Sequence, residues 1–166
     1  MRTFYVFLLL SVSAFADGRW PATAYAEVRA YQYEPKTERE LSILIDGKLN
    51  PTVVNKDGVR LDARQTKRLI TAITGKVGYA HAKCYIPRHA FIFYNGEHKP
   101  VAVIELCLQC CQERIEPQST GFTDFAAIAD LLEELKLPLG GDLTDAMSYR
   151  DSRAELRQVF GLPGKQ

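Results

Sequence analysis

The sequence predicts an α+β domain, a largely antiparallel sheet with a central β-hairpin and about three helices. Three observations carry that reading. "TAYAEVRAYQY" alternates with period two, and "AFIFYN" and "PVAVIELC" are two strand-like runs joined around a short "GEHK" tip. Capped segments with helical spacing begin at Asp62, near Phe125 and at Ser152. The resulting order, β-β-β-α-β-β-α-α with hairpin-length loops, suits helices packed on an antiparallel sheet.

The first strand places Ala24, Ala26, Val28 and Ala30 on one face. Tyr25, Glu27, Arg29, Tyr31 and Tyr33 fall on the other, which reads as a wet or aromatic outer face. "LSILID" is a second short strand, turned by Asp46-Gly47, and "PTVV" a third. Asp57-Gly58 turns again into "VRL". Asp62 caps the first helix and forms a capping box with Gln65. Thr66, Leu69, Ile70 and Ile73 give it an apolar stripe, and Gly75 is its expected C-terminal cap. Arg60, Arg64, Lys67, Arg68 and Lys76 form a basic face along it, read as solvated. The second helix runs on Phe125, Ile128, Ala129, Leu132 and Leu135 and is ended by Pro138. Its outer side carries Asp124, Asp130, Glu133 and Glu134. Ser152 and Glu155 box the start of a third helix, which runs to about Phe160 and is closed by Gly161.

The chain opens with Arg2, an apolar run from Phe4 to Val12 and small residues at Ala14 and Ala16. This is the pattern of a secretory signal peptide over residues 1–16, with 17–166 as a single globular domain. The run is shorter than the roughly 20 residues that span a bilayer, so no stable membrane anchor is expected. A periplasmic or secreted location follows. The 21 basic and 20 acidic side chains nearly cancel, which gives no electrostatic argument for nucleic acid.

Candidate chemistry is concentrated between Cys84 and Cys111, which bound all four cysteines. A turn centred near Gly96 and Glu97 sets Cys84 across from Cys110 or Cys111, and His89 across from Leu106 or Cys107. The cluster then gathers at the open end of the hairpin, and His98 sits at the opposite, solvent-facing tip. Four readings compete. Cys84, His89, Cys107 and Cys110 fit a C-x4-H-x17-C-x2-C ligand set for zinc, with copper(I) as a rival for soft thiolates. Alternatively, two disulfides staple the hairpin, as an even cysteine count in an exported chain favours, and no cofactor is then needed. Cys107 and Cys110 also form a C-x-x-C, although it follows a strand and lacks the helix N-terminus that lowers thiol pKa. A Cys84 or Cys107 nucleophile with His89 as base would need an orienting group and an oxyanion site that the sequence does not identify. Arg88 can contact an anion bidentately, but is expected to pair with Glu105 across the hairpin.

The stretch "CYIPRHAFIFYNGEHKPVAVIELCLQC" resembles the core signature of exported bacterial proteins of unassigned function. In these a C-x-x-P-R-H segment leads into an F-Y strand and an E-x-C-x-x-C segment closes the return. Cys84, Pro87, Arg88, Phe93, Tyr94, Glu105, Cys107 and Cys110 carry the match, and Cys111 departs from it. The resemblance implies a shared structural unit and brings no activity. The expectation is an exported binding or inhibitor-like protein for an unknown protein or envelope ligand, with the cluster structural. The alternative is a metal-binding or thiol-redox protein of the cell envelope.

Overall fold

The computed structural model describes residues 20–75, 85–139, 158 and 161. Its centre is a five-stranded antiparallel sheet in the order β4-β1-β5-β6-β7. The strands are β1 (Glu27–Gln32), β4 (Val59–Arg60), β5 (His89–Tyr94), β6 (Pro100–Cys107) and β7 (Gln112–Glu116). A separate hairpin, β2 (Leu44–Ile45) with β3 (Lys48–Leu49), forms a small arm. Two helices, α1 (Ala63–Ile73) and α2 (Phe125–Glu134), complete the elements among the described residues, beside a 3-10 turn at Glu38–Glu40. The α+β class holds. Two helices stand among the described residues; the expected third helix, apart from Gln158 and its closing Gly161, and the signal segment lie outside them.

Alternation along the strands divides the sheet into two faces with separate cores. Val28, Ala30, Phe91, Phe93, Ala102, Ile104 and Leu106 pack under both helices, against Leu69, Ile73, Ile128 and Leu132. Ala90, Ile92 and Tyr94 face the other way and pack with Tyr31, Tyr33, Ile43 and Val53 beneath the arm. The outer face of β1 is therefore not wet at Tyr31 and Tyr33, which are 2% and 0% exposed. The sequence pattern shows alternation but not a second layer, and the arm is that layer. Both sides of β5 are covered, so all six of its residues are buried.

The arm owes its turn to Asp46 and Gly47, both at positive φ (51° and 74°), the geometry of a type I′ hairpin. "PTVV" contributes only a bridge between Val53 and Tyr33. Gly58 is required at its turn: its φ is 64°, and a Cβ there would meet the Tyr31 ring at 2.8 Å.

α1 starts as expected. The Asp62 carboxylate accepts from the Gln65 amide at 2.7 Å, and the Gln65 side chain accepts from the Asp62 amide at 2.9 Å. Its end differs, because Thr74 is the C-cap and Gly75 instead bridges Phe122. The basic face of α1 meets the acidic side of α2. Arg64 pairs with Glu134 at 3.2 Å, and Arg68 reaches both Asp130, at 2.7 Å, and Glu134. Of the face expected to be solvated, Arg64 and Arg68 bridge to α2, where both helices lie side by side on one face of the sheet, while Lys67 is exposed as expected and Lys76 lies outside the described residues.

α2 is not stopped by Pro138. The Lys136 amide donates to Glu133 O at 3.0 Å and the Leu137 amide to Leu132 O at 2.9 Å, the two bonds of a Schellman motif. Lys136 occupies the left-handed position at φ 60°, which costs a non-glycine residue about 1 kcal/mol. Its side chain is exposed. Lys136→Gly is accordingly expected to stabilise the fold by about 0.5–1 kcal/mol, read as a raised midpoint in thermal or urea unfolding.

Candidate functional site

The hairpin register follows from the short Asn95–Lys99 connection and places His89 opposite Leu106, as the sequence implies. At the far end of β6, Leu108 to Cys111 make the turn into β7, with Cys107 opposite Gln112. The C-x-x-C is thus a β-turn, with no helix dipole to depress a thiol pKa. Cys111 takes the left-handed position of this turn at φ 47°, and its amide donates to Leu108 O at 3.4 Å. Burial pushes the Cys111 thiol pKa up, the opposite of what a reactive thiolate needs.

Cys107 and Cys111 are buried thiols, so the reading with two staples does not hold. Cys110 is disulfide-bonded. Cys84 and His81 lie outside the described residues. His89 shares the helix face with Phe91 and Phe93, whereas Cys107, one residue beyond Leu106, falls on the arm face with Glu105. No group of three His, Cys, Asp or Glu side chains among the described residues is placed to hold a metal. His98 sits at the exposed tip as expected, stacked on Tyr94 at 4.3 Å with its Nδ1 3.0 Å from Glu27.

His89 is 1% exposed. Its Nε2–H donates to Pro138 O at 2.5 Å, since a carbonyl offers no proton. Burial, aided by the nearby Arg88 charge, lowers its pKa to about 4 despite that bond. The ring is therefore neutral at pH 7, and Nδ1 is a bare lone pair. That Nδ1 is buried with no hydrogen-bond partner, and so is the Nε–H of Arg88. Both residues line a depression at the end of the sheet, walled by Ile86, Cys107, Leu108, Gln109 and Leu139. It is shallow and partly open to solvent. Pro87, which precedes this pair, keeps Ile86 extended, and Ile86 stands 46% exposed at the rim.

The expected Arg88–Glu105 pair is not formed. Glu105 faces Arg114 across β6 and β7, and the Arg114 Nε donates to it at 2.8 Å. The sequence reading missed this because β7, "QERIE", carries one apolar residue and gives no strand signal. Glu105 is 1% exposed and its carboxylate also accepts from Ser42 Oγ at 3.0 Å, the Ile43 amide at 2.6 Å and Tyr85 OH at 3.4 Å. A charged residue in the inward phase of "VAVIELC" was the visible signal for this centre. Nearby, burial raises the phenol pKa values of Tyr33 and Tyr85 far out of the working range, so both remain neutral donors. Glu105 ties the arm to the sheet and has no open approach suited to proton transfer.

No family model matches the chain, nor does any curated protein or solved structure. Among the described residues no helix is long and apolar enough to cross a membrane.

Two outcomes are expected. Glu105→Ala strands the buried Ile43 amide, while the half-exposed Arg114 turns to solvent, a loss of about 1–3 kcal/mol in urea unfolding. For His89 the folded pKa lies below the unfolded value of about 6.5, so the unfolded state binds the extra proton. Its contribution is complete above about pH 6.5 and is lost as pH falls toward 4, by about 2–3 kcal/mol from the shift alone. Unfolding curves between pH 7.5 and 4.5 should show this slope in the native protein and lack it in His89→Phe.

Proposed function

We propose that this chain is an exported binding protein, inhibitor-like in kind, whose ligand end is the depression where the start of β5 meets the cysteine turn. Residues 1–16 are its secretory leader, and it works in the periplasm or outside the cell on a protein or envelope ligand. The resemblance of its hairpin to exported bacterial proteins of unassigned function supports that placement. The observation that carries the binding reading is that two residues bordering one depression, His89 and Arg88, each hold a buried polar atom, Nδ1 and Nε, without a hydrogen-bond partner. Leaving such a group unpaired costs about 1–3 kcal/mol, so a complementary ligand group gains by completing them.

The cysteines serve this end as a brace. Cys110 is the stapled member, and we assign Cys84 as its partner, since Cys107 and Cys111 are thiols. The second reading, zinc or copper(I) held in the envelope by Cys84, His89, Cys107 and Cys110, draws on the bare Nδ1 of His89. It requires Cys84 and Cys110 as thiolates.

Protein taken from its native compartment, alkylated while denatured with chelator and without reductant, separates the two. The binding reading expects two adducts by intact mass, mapped to Cys107 and Cys111. Four adducts, with zinc or copper in the purified protein, would transfer the function to metal handling.

A further inference from the structure

We infer that Asn95, at the tip of the central hairpin, is a site of spontaneous covalent modification: its side chain closes on the Gly96 amide, loses ammonia and leaves an aspartyl or isoaspartyl residue. This tip lies at the opposite end of β5 from the depression beside His89.

The reaction asks three things of an asparagine. The next residue must bring a backbone N–H as nucleophile, the side-chain nitrogen must be free to leave, and the backbone between them must have room to close a ring. The chain has three asparagines, and their surroundings differ on each count. Asn50 precedes Pro51, whose nitrogen carries no hydrogen. It is also 2% exposed, with Nδ2 donating to Glu40 O and Ser42 O, both at 2.7 Å. Asn55 is tied to β1 at both side-chain atoms. Its Oδ1 accepts from the Gln32 amide at 2.7 Å and its Nδ2 donates to Ala30 O at 3.1 Å, so closing a ring there breaks both bonds. Asn95 precedes Gly96, which is exposed and has nothing within 4 Å of the place a Cβ would take. Neither the Gly96 N–H nor Asn95 Nδ2 has a hydrogen-bond partner among the described residues.

The tip also assists the step. Asn95 Oδ1 accepts from the amides of Glu97, at 3.0 Å, and Lys99, at 2.9 Å. When the Gly96 nitrogen attacks Cγ, negative charge develops on that oxygen, and two backbone donors already aimed at it stabilise the charge. The N–Cγ bond forms as the Gly96 proton passes to solvent base. The Cγ–Nδ2 bond breaks as ammonia leaves with a proton from solvent. Water then opens the cyclic imide at either carbonyl, giving aspartate or isoaspartate. An aspartate keeps both amides, now as charge-assisted bonds, so the hairpin register survives. An isoaspartate adds one backbone carbon to the loop and shifts His98 from its place against Tyr94 and Glu27.

The test incubates the full chain in mildly alkaline buffer, folded and, in parallel, unfolded in guanidinium. Peptide masses and isoaspartate content then report on each asparagine. The folded protein is expected to convert Asn95 to a mixture of aspartate and isoaspartate, at least as fast as the unfolded chain, while Asn50 and Asn55 stay intact. Gly96 is not at positive φ, so Gly96→Ala fits the loop, and amide spectra confirm that the fold is kept. This variant should slow the folded reaction about tenfold, because the added methyl stiffens and crowds the attacking backbone. An Asn95 left intact in the folded protein, or converted there more slowly than in the unfolded chain, overturns the proposal, as does equal conversion of Asn55 in the fold. Conversion to aspartate alone, at a rate that Gly96→Ala leaves unchanged, also overturns it, since direct hydrolysis needs no neighbouring amide.

Discussion

A single buried carboxylate ties the arm layer of this molecule to its sheet. Glu105 sits in the central hairpin, on the face away from the helices, and gathers donors from three separate parts of the chain. Ser42 and Ile43 bring the arm, Tyr85 brings the segment entering β5, and Arg114 brings β7. A carboxylate removed from water this completely is tolerated only when its lone pairs are occupied. Each donor segment is short or polar, and none has enough apolar surface to hold its place alone. The arm has two strands of two residues each, well below what is independently stable. Its position over Tyr31 and Tyr33 therefore depends on Glu105 as much as on hydrophobic contact.

The helix side is built differently. There the sheet is covered by two capped amphipathic helices, whose facing charges form a seam between Arg64 or Arg68 and Asp130 or Glu134. Those exposed pairs are individually weak, so the apolar stripe does most of the holding. The Schellman turn at Lys136 then aims Leu137–Leu139 across the sheet end, where Pro138 O meets the His89 ring. Helix termination thus sets the tautomer of a buried histidine. The cysteine turn closes the other side of the same end. A tight turn, a disulfide at Cys110 and a clamped imidazole make a stiff rim, which suits recognition with little ordering cost.

The parts of this arrangement visible in the sequence are those with strong local signals. The Asp62–Gln65 capping box, the Asp46-Gly47 turn and the register that sets His89 opposite Leu106 are each fixed within a few residues of chain. What escaped depends on layers meeting from a distance. β7 carries four polar residues and only Ile115 toward the core, so nothing local marks it as a strand. Without β7, Arg114 could not be seen as the partner of Glu105, and Arg88 took that role on proximity alone. Tyr31 and Tyr33 alternate as an outer face should, and only the arm folding over them makes them core. The gathering of cysteines was legible, but not its division. Strand alternation turns Cys107 away from His89, a consequence of the register extended one residue past Leu106.

Hydrogen exchange at the Ile43 amide tests the Glu105 clamp most directly. This N–H lies in a loop before a two-residue strand and donates to the carboxylate at 2.6 Å. If Glu105 ties the arm to the sheet, Ile43 exchanges as slowly as the central β5 amides of Ile92 and Phe93, by opening of the whole fold. Exchange at Ile43 at the rate of its exposed neighbours, with β5 still protected, would show that the arm opens by itself and that the carboxylate does not hold it.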